Sequence, residues 1–253
     1  LSHELVTTST LAAVAFLSGA ATEKLIRGAS RPVRGSYANL RRTRWQTQSV
    51  VVKHLVAQSF SNQELLAIAA DVASATIAGW ASKGLSPPLA LCIEPPNVAI
   101  IFPRLRYCTL RTMAVHPDVV RARYPSLLVP SLDIVCALGT ALIDAIEALH
   151  MATGAAHGAL TPSNVSIVLS SSGFPTRVIL SDFGLAAIRR LVGPKCILPS
   201  ASYASPEVLS GKAIAKQADT FTFGSMLYQI ACGQPAFTGN NETVTAARVI
   251  AGD

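Results

Sequence analysis

The chain has 253 residues, half of them hydrophobic and 14% charged, long enough to bury a core without disulfides or metals and to fit one large domain or two small lobes. A mini-protein, a collagen and a disordered tail are excluded. Lys and Arg total 21 against 14 Asp and Glu, a net charge of +7, which permits attraction to phosphate, nucleic acid or acidic lipid without naming one of them.

Mean hydropathy is positive, +0.42, so the first question along the chain is a membrane span, which as a helix needs about 20 apolar residues. The best candidate, Leu11 to Ala21, is about half that length by the same measure, has no basic residue ahead of it and is followed by Glu23 and Lys24. It reads as a buried or lobe-flanking helix, and no span is expected. Arg27, Arg31, Arg34, Arg41, Arg42 and Arg44 follow, interrupted by Gly28, Pro32 and Gly35. That interleaving predicts solvated charges around a strand and its turn, and no nucleic-acid partner is expected.

Short β-type runs, Gln48 to Val52 and Val98 to Phe102, flank a helical stretch from Asn62 to Ala81. The chain divides near residue 105. Beyond it, Leu132 to Met151 places Ile134, Val135, Leu138, Leu142, Ile146 and Leu149 close to a helical period. Strands over Val165 to Leu169 and Arg177 to Leu180 surround a turn, and a second apolar helix covers roughly Ala218 to Cys232. The five cysteines, Cys92, Cys108, Cys136, Cys196 and Cys232, are scattered and form no CxxC pair. That usage suits reduced thiols in a cytoplasmic, intracellular compartment and argues against a disulfide framework or a zinc site. The expected fold class is α+β, a small β-rich lobe followed by a larger helical one.

The chemistry sits where these pieces join. Residues His157 to Asn164 read HxxLxPxN between a helix and a strand, and Asp182-Phe183-Gly184 begins 18 residues after Asn164. Pro206-Glu207 and Asp219 follow in order, and Lys53 ends an upstream strand of valines. An Asp-Phe-Gly triplet alone is weak, because turns use Asp and Gly freely. The ordered set is strong.

In this order and spacing the sequence resembles the protein kinase family, from about Leu25 to Phe237. The resemblance implies a two-lobed fold: residues 1–24 flank a kinase-like domain over 25–253, with an N-lobe over about 25–105 and a C-lobe over about 106–253. The C-lobe is expected to be truncated, lacking the family's final helices. It also implies ATP and Mg2+ as ligands, with Lys53 on the α- and β-phosphates, paired to a helix acid, and Asn164 and Asp182 on magnesium. The helix acid by position is Asp71, with Glu64 as runner-up. His157, Phe183 and Gly184 fall on structural positions of the family, Glu207 on the anchor of the activation segment, and Asp219 on the acid that caps amides near the catalytic loop.

The departures matter as much. The family's catalytic aspartate is replaced by Ala159, so no proton can be accepted there, and general-base catalysis is worth roughly 10²–10⁴-fold. Thr161 stands where Ser/Thr kinases carry a charge-neutralising Lys, and Gly158 where many carry an Arg. Aligning Val33 with the valine after the glycine-rich loop puts Gly28 on its middle glycine but Ile26 and Arg31 on the flanking ones. Side chains there obstruct backbone approach to phosphate. Val51 adds bulk above the adenine, Ser166 replaces the apolar residue below it, Phe102 is the gatekeeper, and Leu105 ends the hinge. ATP binding is therefore expected to be weak or absent. The pattern reads as a pseudokinase, acting as a scaffold or allosteric regulator of a protein partner such as an active kinase, with a divergent active Ser/Thr kinase as the alternative.

Overall fold

The computed structural model describes residues 13–34, 38–55, 59–105, 107–115, 131–186, 188 and 200–253. The chain forms two compact units, one from residues 1–81, 86–105 and 184–197, the other from 82–85, 106–183 and 198–253.

The first unit holds a six-stranded sheet. Its strands are β1 (Ala15–Phe16), β2 (Val33–Arg34), β3 (Ala38–Trp45), β4 (Gln48–Leu55), β5 (Ala90–Cys92) and β6 (Ala99–Pro103), in the spatial order β1-β5-β6-β4-β3-β2. Two helices join it, α1 (Gly19–Arg27) and α2 (Asn62–Ala81). Alternation along the strands separates two apolar cores. Ala38, Leu55, Leu91, Ile100 and Phe102 pack with Leu65, Ile68 and Val72 of α2, while Val50, Val52, Ala90, Ala99 and Ile101 on the opposite face pack with Leu17, Ile26 and Trp45.

Two expectations are corrected here. The run Leu11–Ala21 is not a helix: its described part forms β1, parallel to β5 through Ala15 and Phe16, and only then turns into α1. Ser18 starts that helix by accepting from the Ala21 N–H at 3.2 Å, while Glu94 accepts from the Gly19 N–H. These are N-cap bonds that apolar periodicity does not register. Residues expected to flank the fold up to position 24 thus supply an edge strand and most of a covering helix. Leu11, Ala12 and Cys196 lie outside the described residues.

Helix α2 opens on a capping box in which the Glu64 carboxylate accepts from the Ser61 N–H at 2.7 Å and the Ser61 hydroxyl accepts from the Glu64 N–H at 3.3 Å. By length and composition α2 is the one helix among the described residues long and apolar enough to cross a bilayer. The run expected as the best candidate, Leu11–Ala21, is shorter than α2. Leu65, Ile68, Val72 and Ala73 are buried in the unit's own core, as expected of a core helix.

The second unit pairs a three-stranded antiparallel sheet, β7 (Cys108–Thr109), β8 (Val165–Leu169) and β9 (Pro175–Leu180), with helices α3 (Leu110–Val115), α4 (Leu132–Thr153), α5 (Pro206–Leu209), α6 (Lys216–Cys232) and α7 (Glu242–Ala251). Ser131 caps α4 at its start, and Gly154 ends it in the left-handed region at φ +67, where a side chain would be strained. Helix α4 packs on β9 and on α6, burying Leu138, Leu142, Ile146 and Leu149 along one stripe.

Candidate functional site

Asp219, in the first turn of α6, organises the second unit's loop chemistry. The carboxylate is 1% exposed. Its Oδ2 accepts from the His157 N–H at 2.7 Å and lies 2.8 Å from His150 Nε2 of α4, and Oδ1 accepts from the Gly158 N–H at 3.0 Å. Charge-assisted bonds of this kind compensate the burial of a carboxylate. They also fix the backbone of the segment leading out of α4. Gly158 sits at φ +70, which a residue without Cβ adopts at little cost. His157 is fully buried, and its Nε2 lies 2.9 Å from the Ser181 carbonyl, tying the loop to the residue ahead of Asp182.

Ala159 follows, half-buried, with a methyl where the resemblance places a proton acceptor. The loop is nonetheless closed: the Asn164 side-chain amide donates to the Ala159 carbonyl at 3.1 Å, the Asn164 N–H donates to the Thr161 carbonyl at 2.9 Å, and the Ser181 N–H donates to the Asn164 carbonyl at 3.0 Å. Thr161 and Asn164 are half-buried, and Ser166 is buried between Thr109 and Ile179 in the sheet. Asp182 lies in the left-handed region at φ +66, a conformation uncommon outside glycine, though Asp is among the residues enriched there. Phe183 beside it is 1% exposed. With its amide committed to Ala159, Asn164 keeps Oδ1, which accepts no hydrogen bond from the described residues. Oxygen donors of this kind, amide and carboxylate, suit a hard divalent cation.

In the first unit, Lys53 is 8% exposed, and its Nζ lies over the Phe102 ring at 4.8 Å from the centroid. A desolvated cation–π contact contributes about 2 kcal/mol, so the gatekeeper position holds the strand lysine. Val51 pairs with Phe102 across β4 and β6 and is half-buried. Asp71 lies half-buried on α2, while the carboxylate of Glu64, the runner-up, is committed to its capping box. The Ser61 N–H and hydroxyl together hold the Glu64 carboxyl below its ordinary range. Gly184 takes φ +69, and a Cβ there would stand 3.0 Å from that of Ala75. Leu105 is half-buried at the end of the described hinge segment.

The glycine-rich loop is misplaced in the sequence reading. Gly28 caps the end of α1, its N–H donating to the Lys24 carbonyl at 3.1 Å. Val33 is an exposed residue of β2 paired with Leu40, and Leu40 is the residue directly across from Lys53. The residues joining β2 to β3 are 35–37, outside the described set. Spacing from the lysine cannot reveal this, because hairpin register depends on the turn.

Sequence reasoning also missed the polar contacts that hold the stretch before Pro206. The Thr222 hydroxyl donates to the Tyr203 carbonyl at 2.7 Å, the Tyr203 hydroxyl to Gln229 at 2.8 Å, and the Ala201 N–H to the Glu242 carboxylate at 2.7 Å. Burial pushes the Tyr203 phenol above its ordinary range. Glu207, by contrast, is half-buried in α5 and forms no ion pair among the described residues.

A family profile described as protein kinase domain matches residues 129–252. A protein of Acanthamoeba polyphaga mimivirus described as a serine/threonine-protein kinase/receptor is 26% identical over 82% of this chain and 12% of its own length. Residues 129–252 belong to the protein kinase family. Two further kinases align with shorter stretches. The DNA damage-responsive serine/threonine-protein kinase RqkA of Deinococcus radiodurans is 35% identical over 41% of this chain, and the serine/threonine-protein kinase PDK1 of Cryptococcus neoformans is 33% identical over 47%. The chain spans 16% and 10% of those two relatives' lengths. The profile match covers the Asp219-centred loop.

Proposed function

We propose that this chain is the kinase-like domain of a larger signalling protein in which phosphoryl transfer is impaired, and that it acts as a scaffold or allosteric regulator of a protein partner inside the cell. The observation that carries the reading is Ala159. The Asn164 amide, the Asp219 carboxylate and the His157 ring keep the loop around it bonded, so the missing carboxylate leaves an intact scaffold without its base. Thr161 removes a second charge that would stabilise the transferring phosphate.

A divergent active kinase is the second reading. Asn164 is held by bonds to the Ala159 and Thr161 carbonyls, and Asn164 and Asp182 are the oxygen donors that would hold Mg2+. Lys53 would supply the cation for the nucleotide's phosphates. When bound, the Mg-nucleotide would bring the transferable phosphoryl group; the chain's own residues would only orient and neutralise it.

The test is transfer of labelled γ-phosphate from ATP to generic Ser/Thr substrates by the wild-type chain, Ala159→Asp and Asp182→Ala. Negligible wild-type transfer is expected, with a gain of at least tenfold in Ala159→Asp. Robust wild-type turnover that disappears in Asp182→Ala would establish the active reading instead. Thermal melting with Mg-ATP separates the outcomes further, since ligand at 100 times its Kd adds about 2.7 kcal/mol of stability.

A further inference from the structure

From Lys24 to Lys53 the chain carries eight basic residues and no acidic one. Strand register shows where part of this charge goes. Leu40, Lys53 and Ile100 lie in one row across β3, β4 and β6, and Arg42, Val51 and Phe102 lie in the next. Arg44 pairs with Ser49, and the Arg104 N–H donates to the Ser49 carbonyl at 3.0 Å. Arg104 thereby extends β6 by one residue and completes a third row, Arg44, Ser49, Arg104. By alternation all three rows belong to one face of the sheet, the face that carries Lys53. Helix α2 covers this face at Ala38, Leu55 and Ile100. At the other end Arg42, Arg44 and Arg104 are exposed within the unit.

Strands about 4.8 Å apart put the Arg44 and Arg104 backbones about 10 Å from each other, with Arg42 about 7 Å further along from Arg44. Like charges on one face at this spacing repel, within the reach of a Debye length at physiological salt. None of the three guanidinium groups forms an ion pair among the described residues. Among the described residues the three side chains make one internal hydrogen bond, from Arg44 to the Thr47 carbonyl at 3.2 Å, which leaves most of the Arg44 fork to a ligand. Guanidinium forks match phosphate geometry, and several around a half-buried floor of Ser49 and Val51 suit a ligand bearing several phosphates.

We propose that Arg42, Arg44 and Arg104 form an anion subsite for a polyphosphate-bearing small ligand. It lies on the far side of Val51 and Phe102 from Lys53 and is distinct from the phosphate contact that the lysine would make. The proposal goes beyond the functional reading above and stands whether or not phosphoryl transfer is lost.

Inorganic tripolyphosphate is the probe, titrated into the whole chain by calorimetry and thermal shift. Saturable binding that weakens with salt is expected, with a loss of about tenfold for each guanidinium removed in Arg42→Gln, Arg44→Gln and Arg104→Gln. Arg42→Lys should fall between wild type and Arg42→Gln, because it keeps charge but not the fork. Arg34→Gln, whose side chain alternation places on the opposite face, should change binding less than twofold. Circular dichroism of each variant separates lost binding from lost folding. The proposal is overturned if tripolyphosphate does not bind, or if Arg34→Gln weakens it as much as Arg42→Gln. It is equally overturned if phosphatidylserine vesicles or duplex DNA bind through these arginines while tripolyphosphate does not.

Discussion

Replacing Asp219 by Ala removes the acceptor for two backbone donors and one imidazole at once. His157 N–H, Gly158 N–H and His150 Nε2 all lie within 3.0 Å of its carboxylate, and His157 is fully buried. Hydrogen bonds to a charged group contribute about 1.5–3 kcal/mol each, and a buried donor left alone costs about 1–3 kcal/mol. The three are not additive, because they share one carboxylate, and breaking a buried charged network by removing one member typically costs about 3–5 kcal/mol. At about 2–4 °C per kcal/mol for a chain of this size, the expected fall in Tm is roughly 10 °C. Asp219→Asn keeps the shape but turns an NH2 group toward at least one donor, so it should recover only part of the loss. Calorimetric melting gives the stability, and amide hydrogen exchange at His157 and Gly158 gives the local effect. A Tm within 2 °C of wild type, with exchange at both amides unchanged, would refute the claim that this carboxylate holds the loop.

Gly79→Ala should destabilise the first unit by about 1–3 kcal/mol, because a Cβ there would stand 2.3 Å from the Pro87 Cβ; urea denaturation followed by circular dichroism checks it. Thr222→Val is isosteric but leaves the Tyr203 carbonyl without the donor now 2.7 Å away, for an expected loss of about 1–2 kcal/mol, read by the same unfolding curve and by faster proteolysis near Ala201. Glu64 has a carboxyl held below its ordinary value of 4.5, first by the Ser61 N–H and then by its hydroxyl. Its share of stability is therefore full above the unfolded value and is lost as pH falls through the lower folded one. The Glu64→Gln variant should show a flatter acid limb in stability against pH, and identical limbs would exclude the capping role.

Much of the second unit was legible because helices announce themselves through spacing. The stripe Ile134, Leu138, Leu142, Ile146 and Leu149 defines α4, and the strands around Ser170 to Pro175 follow from turn chemistry. The loop residues His157, Asn164, Asp182 and Asp219 were legible as an ordered set, since each residue type is tied to one role. What stayed hidden depends on contacts between distant positions. Glu242 holding the Ala201 N–H across 41 positions has no local signature. The edge pairing of Ala15 with Ala90 is equally silent, and the apolar run around it mimics a helix. The hairpin register that sets Leu40 across from Lys53 fails to show for the same reason: alternation predicts a strand, whereas its partner is chosen in three dimensions.

The cover that Leu17 and Ile26 place over Val50, Val52 and Ile101 bears on how this domain can be moved between proteins. A recombination event, or a cloning boundary, set by the family's motifs near Leu25 would carry the lysine and the catalytic loop intact while removing Leu17 from one apolar core of the sheet and Val14 from the other. Cut there, the module should aggregate. Val14 as well as Leu25 must therefore be inherited together with Lys53, although nothing in the chemistry of the site would single it out.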